Sequence, residues 1–142
     1  MPDTLLVRAA RPDDADHVWP LARDFATSFT PRRESFDTTW QHLRDVPDAL
    51  VVVAESEGQV VGYLLAHRHL TFLANGPVAW VEEVMVAEPH RRSGVGRELM
   101  RHAEHWAHRS GAAYLALASR RAGDFYTALG YEDSAVFFKK PV

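Results

Sequence analysis

The stretch Glu88-Pro89-His90-Arg91-Arg92-Ser93-Gly94-Val95-Gly96 holds the residues best suited to chemistry. It lies between a predicted strand, Val78 to Val86, and a predicted helix that begins near Val95. Two glycines let a chain turn tightly and bring its amides close to a ligand, and a helix start adds unpaired N–H groups and a positive dipole end. Such a loop wants an anion. Arg91 and Arg92 add charge at its entrance, which suits a diphosphate better than a lone carboxylate. A nucleotide-hydrolysing loop would continue Gly-Lys-Ser/Thr, yet Gly96 is followed by Arg97-Glu98. A dinucleotide fingerprint fails as well, because Leu99 stands where a third glycine belongs and Ala116 where an acidic residue belongs.

Two further groups of residues invite a chemical reading. Glu82 and Glu83 adjoin the loop on the preceding strand and, as neighbours in a strand, point to opposite faces, so one of them would face any given site. His102, His105 and His108 recur at steps of three in a predicted helix. Each such step turns about 300°, which splays the outer pair by about 120°, whereas close histidine ligands sit one turn apart with a carboxylate nearby. A solvated helix face is the expected outcome, and no metal is expected.

The elements that must position these residues follow from periodicity and punctuation. Thr4 to Ala9 reads as a strand, and Arg11-Pro12-Asp13-Asp14 as a helix start. Ala15, Val18, Ala22, Phe25 and Phe29 fall on one helical face, with Pro20 expected to interrupt and kink that helix. Phe36, Trp40 and Leu43 predict a second helix over Glu34 to Asp45, stopped by Pro47. The pattern then changes to strands. Leu50 to Glu55, the turn Ser56-Glu57-Gly58-Gln59, and Val60 to Arg68 predict a hairpin; Asn75-Gly76-Pro77 introduces Val78 to Val86 as its antiparallel neighbour. Val95, Leu99, Ala103 and Trp106 predict a helix ending near Ser110-Gly111, and Tyr114 to Ala118 a short buried strand, parallel across the helical crossover. Ala122, Phe125, Tyr126 and Leu129 give a last helix closed by Gly130, and Ala135 to Lys139 a last strand.

With 142 residues, 46% hydrophobic and 25% charged, the chain is expected to form one domain over residues 1–142. A formal net charge of −3 argues against binding nucleic acid through counterion release. The longest aliphatic run, Ala49 to Ala54, is far short of the roughly 20 residues of a membrane helix, and Met1 to Ala10 lacks a signal-peptide apolar core. A cytoplasmic address, with no membrane partner, is the expectation. The absence of cysteine removes disulfides, thiolate metal sites and a cysteine nucleophile.

Taken together, Glu82-Glu83-Val84-Met85-Val86, Pro89 and Arg91-Arg92-Ser93-Gly94-Val95-Gly96 resemble the acyl-CoA signature of the GNAT superfamily of N-acyltransferases, Arg/Gln-x-x-Gly-x-Gly/Ala. Phe125-Tyr126-Thr127-Ala128-Leu129-Gly130-Tyr131 is similar to the family's second motif, and the element order is also the family's. The resemblance implies an α/β (α+β) GNAT fold. Its mixed, mostly antiparallel sheet of about six strands is flanked by about four helices, with a parallel strand pair splayed at the cofactor slot. It also implies acetyl-CoA as co-substrate: the backbone of Val84, Met85 and Val86 pairs with the pantetheine arm, and amides from Arg92 through Arg97 cradle the pyrophosphate. Ser119 stands where many members carry asparagine.

By the same resemblance, the activity is acetyl transfer to a primary amine, and Tyr126 protonates the departing thiolate. A lysine-like amine with pKa ~10.4 must lose a proton near pH 7, at a cost of about 4.6 kcal/mol. Glu82 or Glu83 is the expected base, directly or through water, with Glu82 the preferred one. Family acceptors lie between the first two helices and the middle strands. Asp24, Phe25, Phe29, Phe36, Trp40, Tyr63, His67, His69 and Trp80 are therefore candidate lining residues, with Thr30 to Arg33 and Phe72 to Pro77 as rims. A small-molecule amine is the expected acceptor. A protein N-terminus or lysine, and a non-catalytic acyl-CoA sensor, are the alternatives. Val136 to Lys140, as an edge strand, would suit a homodimer, though a monomer fits the sequence equally.

Overall fold

In the computed structural model, which describes residues 4–142, the chain forms five strands and four α-helices in three layers. The order is β1 (Leu5–Ala9), α1 (Ala15–Phe25), α2 (Arg33–Arg44), β2 (Ala49–Ser56), β3 (Gln59–Thr71), β4 (Gly76–Val86), α3 (Val95–Arg109), β5 (Leu115–Ala116) and α4 (Gly123–Ala128). The sheet follows chain order from β1 to β5, with every pairing antiparallel except the last, β4 with β5. Among the described residues no helix is long and apolar enough to cross a membrane.

The two faces of the sheet are read directly from the alternation of the strands. Val52, Ala54, Leu64, Ala66 and Val81 point to one side and meet Val95, Leu99, Met100 and Ala103 of α3, whose apolar residues recur at helical spacing. Val53 and Tyr63 point to the other side and meet Val18 of α1 and Trp40 of α2. Between β1 and α1, Asp14 is buried at 4% exposure. Arg8 donates to both of its oxygens, at 2.8 and 3.0 Å, and the Arg11 amide donates at 2.7 Å. Burial pushes this carboxyl up, but the Arg8 and Arg11 hydrogen bonds outweigh it and hold the group below the ordinary carboxylate range. The chain reversal into α1 is thereby fixed.

Three expectations are corrected. Pro20 lies inside α1, which runs through it without a break; the N–H it lacks would have bonded the carbonyl of Asp16, an exposed residue. The parallel strand expected over Tyr114 to Ala118 is only Leu115–Ala116, because β4 turns away beyond Trp80. The strand expected over Ala135 to Lys139 has no ladder, and β5, at the edge of the sheet, is only two residues long. Val136, Phe137 and Phe138 stand exposed in that segment, which runs past the loop after α1: the Lys139 ammonium reaches the Ser28 hydroxyl at 3.3 Å and lies 5.9 Å from the Phe29 ring.

Candidate active site

The parting of β4 from β5 begins with one extra residue. Val81 stands opposite Ala66 and Glu83 opposite Leu65, so Glu82 has no counterpart on β3 and forms a bulge. A bulge resets the alternation of side chains. Val81 and Val84 therefore both pack toward α3, while Glu83 and Met85 both turn toward α1 and α2. On the other edge, β4 pairs with β5 only at Ala79–Leu115 and Trp80–Ala116. The backbone of Val84, Met85 and Val86 has β3 on one side, with Tyr63 opposite Met85, and no ladder on the other. Its free edge faces an open slot between the two strands.

At the end of that slot the chain makes a single 3-10 turn, Glu88–His90, and enters α3 through two left-handed residues, Arg92 at φ 65° and Gly94 at φ 91°. Left-handed residues within a turn can aim nearby N–H groups toward one side, an arrangement suited to an anion. The first bonded amide of α3 is that of Glu98, which donates to the Gly94 carbonyl at 3.1 Å. The amides of Arg92, Ser93, Gly94, Val95, Gly96 and Arg97 have no protein acceptor among the described residues. The loop holds its own shape. Arg91 donates from Nε to the Val86 carbonyl at 2.9 Å, and the Ser93 hydroxyl donates to the His90 carbonyl. Val95 is buried in the core, whereas Arg92 and Arg97 are exposed. A side chain at Gly96 would place its Cβ 3.1 Å from Phe125 Cζ, so the Phe125 ring of α4 would have to shift by a few tenths of an ångström to admit it.

Tyr126, on α4, is half-buried beside Phe125 (ring centroids 4.9 Å apart) and Tyr131 (5.9 Å). Burial pushes its phenol pKa up, so the hydroxyl is a donor at neutral pH, and no protein group uses it among the described residues. Tyr131 anchors this helix by donating to Glu104 of α3 at 2.6 Å. Glu104 was not among the residues singled out from the sequence; it lies on α3, 27 positions away. The Ser119 hydroxyl oxygen accepts the Ala122 amide at 3.0 Å, closing the turn into α4.

The two glutamates differ sharply in setting. Glu82 is exposed, whereas Glu83 is half-buried and accepts a hydrogen bond from the Tyr63 phenol at 2.7 Å. Burial pushes the Glu83 carboxyl up; the Tyr63 bond and the His67 charge pull it down, the Glu82 charge pushes it up, and the result lies above the ordinary value. Around it, α1, α2 and the middle strands line an open cleft that includes Asp24, Phe25, Phe29, Phe36, Trp40, Tyr63 and Trp80. Trp40 and Tyr63 are buried, whereas Asp24, Phe25 and Phe29 are exposed. His67 stands across from Trp80, and His69 is exposed beyond the lining. Of the expected rims, Pro31 and Arg32 line the cleft, but the β3–β4 turn at Phe72 to Pro77 does not. Trp19 was missing from the sequence reading because it is one position off the Ala15–Val18–Ala22 stripe; it packs on Phe36 at 5.4 Å under the Arg33 guanidinium. Among the described residues no group of three or more His, Cys, Asp or Glu converges to hold a metal ion.

The sequence model of the acetyltransferase (GNAT) family matches residues 15–131, most of the chain. The chain belongs to the GNAT acetyltransferase family. The aminoalkylphosphonate N-acetyltransferase of Salmonella typhimurium is 27% identical to this GNAT over 138 residues, covering 94% of the chain and 89% of that protein. The uncharacterized N-acetyltransferase YhdJ of Bacillus subtilis is 31% identical over 72 residues, 47% of this chain and about half (51%) of its own length. Among solved structures, glucosamine-6-phosphate N-acetyltransferase from Arabidopsis thaliana superposes with a TM-score of 0.86 at 19% identity, covering 97% of this chain and 98% of that one. An aminoglycoside 6'-N-acetyltransferase from Acinetobacter haemolyticus reaches 0.79 at 23% identity, covering 96% and 99%. At such identities these structures establish the GNAT fold.

Proposed function

We propose that this GNAT transfers an acetyl group from acetyl-CoA to a primary amine of a small molecule, by direct attack in a ternary complex. One observation carries the reading: a run of unpaired amides, from Arg92 to Arg97, stands at the end of the slot where β4 leaves β5, and β4 also bears Glu83. The residues present fit coenzyme A. The amides and the Arg92 charge suit its pyrophosphate, and the free edge of Val84 to Val86 suits the amides of its pantetheine arm.

Bound acetyl-CoA supplies a thioester carbonyl as the electrophile. The chain's own residues do the rest. Glu83 takes the proton of the incoming ammonium, and its raised pKa brings it closer to the pH at which a base works best. Both glutamates line the cleft, and Glu83 is taken here in place of Glu82, preferred from the sequence, because it is the half-buried one held by Tyr63. A main-chain amide of Val84 to Val86 offsets the charge that develops on the carbonyl oxygen. Tyr126, protonated and otherwise unpartnered, donates to the departing thiolate. With no cysteine in the chain, direct transfer needs no covalent acyl-enzyme.

The relatives' substrates guide the choice of acceptors. A free-thiol release assay over aminoalkylphosphonates, amino-sugar phosphates, polyamines, amino acids and a peptide with a free N-terminus tests the reading. Release with at least one small amine, reduced by about 10² to 10⁴ in Glu83→Gln, is the expected result. Failure of calorimetry to detect coenzyme A or acetyl-CoA binding would overturn it, binding without turnover on any amine would favour a sensor, and turnover on the peptide alone would favour a protein acetyltransferase.

A further inference from the structure

The contact between Tyr63 and Glu83 joins residues that sequence reasoning assigned to different tasks, one to lining the acceptor cleft and one to proton transfer. Tyr63 is 3% exposed, held on β3 among Val18, Trp40 and Val53. Its phenol donates to Glu83 Oε1 at 2.7 Å. The two are diagonal neighbours across the ladder, with Tyr63 opposite Met85 and Glu83 opposite Leu65, and they share a face only because the Glu82 bulge shifts Glu83 toward α1 and α2. Glu83 Oε2 has no donor among the described residues.

We propose that Tyr63 is the positioning residue of the proton acceptor: its hydroxyl fixes one oxygen of Glu83 and stabilises the ionised carboxylate, leaving the second oxygen to take the proton of the amine. The inference rests on Glu83 being the base. Burial pushes the Tyr63 phenol pKa far up, with the Glu83 charge and the shared hydrogen bond adding to it, so Tyr63 remains a donor throughout the working pH range. The other groups facing Glu83 are few. His67 on β3 favours the charged carboxylate and Glu82 on β4 disfavours it. The helices pack Val18 and Trp40 onto Tyr63, and neither side chain titrates. Tyr63 is thus the directed donor that opposes the burial of this carboxyl. Because its ring is locked in the core, the oxygen it holds is also fixed in direction, which a mobile water would not achieve.

The test is a titration of the Glu83 side-chain carboxyl by carbon-13 NMR in the wild-type chain and in Tyr63→Phe. A carboxylate that accepts two or three hydrogen bonds drops by about two units, so loss of one bond is expected to raise the Glu83 midpoint by about one unit. The acidic limb of kcat/KM, measured on the amine found in the thiol-release panel, is expected to move up with it while KM for acetyl-CoA stays constant. Replacement of Tyr63 by 3-fluorotyrosine, a more acidic donor of nearly the same shape, should move the midpoint down and covers the case in which Tyr63→Phe fails to fold. An unmoved midpoint in either variant, even with lowered thermal stability, would overturn the proposal and leave Tyr63 a packing residue. The base assignment fails separately: wild-type turnover in Glu83→Gln would remove it, and the catalytic meaning of the pair with it. An inactive Glu83→Gln beside an unmoved midpoint would remove Tyr63 alone.

Discussion

Substituting Gly94 by alanine isolates the part of the site on which cofactor binding is proposed to depend. Gly94 sits at φ 91°, and a Cβ built there meets no atom within 4 Å, so the cost of alanine is almost purely that of left-handed backbone. For an L-residue this costs roughly 1–2 kcal/mol. The energy has two outlets. If the loop keeps its conformation, the folded state carries the strain and Tm falls by about 3 to 10 °C in a chain of this size. If the residue relaxes to negative φ, the amides around Gly94 turn away from the ligand and coenzyme A affinity falls by about 5- to 30-fold. The two losses should sum to the same total, read by thermal unfolding of the free protein and by calorimetry with coenzyme A. Gly58→Ala is the control. Gly58 lies in the β2–β3 turn at φ 79° with equally open surroundings, so its alanine variant is expected to lose stability and keep its affinity. Gly94→Ala with both Tm and affinity unchanged would refute the claim that the loop geometry forms the pyrophosphate site, as would an affinity loss of equal size in Gly58→Ala.

Other consequences can be checked with ordinary variants. Tyr126→Phe is expected to fold normally and to lose turnover by about 10²-fold or more while coenzyme A binding is kept, measured by steady-state kinetics and calorimetry; undiminished kcat would remove the acid from the mechanism. Leu99→Ala, at a fully buried position between α3 and the sheet, is expected to cost about 3 kcal/mol in urea unfolding, and a loss below about 1 kcal/mol would mean that this layer is loosely packed. Asp14→Asn is expected to cost about 2 kcal/mol at neutral pH through its hydrogen bonds to Arg8 and Arg11. Since the Asp14 carboxyl is held below its ordinary value, that contribution is complete above about pH 4 and fades as pH falls through the folded-state pKa; a gap between wild type and variant that stays constant down to acid pH would contradict the assignment.

Much of this architecture was legible along the chain because it rests on local periodicity. The apolar steps Val95, Leu99 and Ala103 marked the face of α3 that packs on the sheet, and Glu57-Gly58 marked the hairpin that β2 and β3 form. The pair Gly94 and Gly96 located the loop before α3 because the left-handed backbone at one and the close approach of Phe125 at the other depend on residue type at fixed spacing. Other features depended on partners distant in sequence. Trp19 belonged to no stripe and became a cleft residue only through Phe36 of the next helix, and Glu104 acquired its role only when Tyr131 reached it.

The sequence by itself determined the order of the elements, the position of the glycine loop before α3 and the place of the Phe125-Tyr126 pair on the last helix, since each is written in residue types over a short window. Tertiary structure alone decided which glutamate is half-buried against Tyr63, how soon β4 leaves β5, and that Ala135 to Lys139 finds no strand to pair with. The physical reason is common to all three. A strand's side chains alternate with a period of two, so a single unmatched residue, Glu82, exchanges inside for outside for everything beyond it, and whether a residue is unmatched is a property of the neighbouring strand.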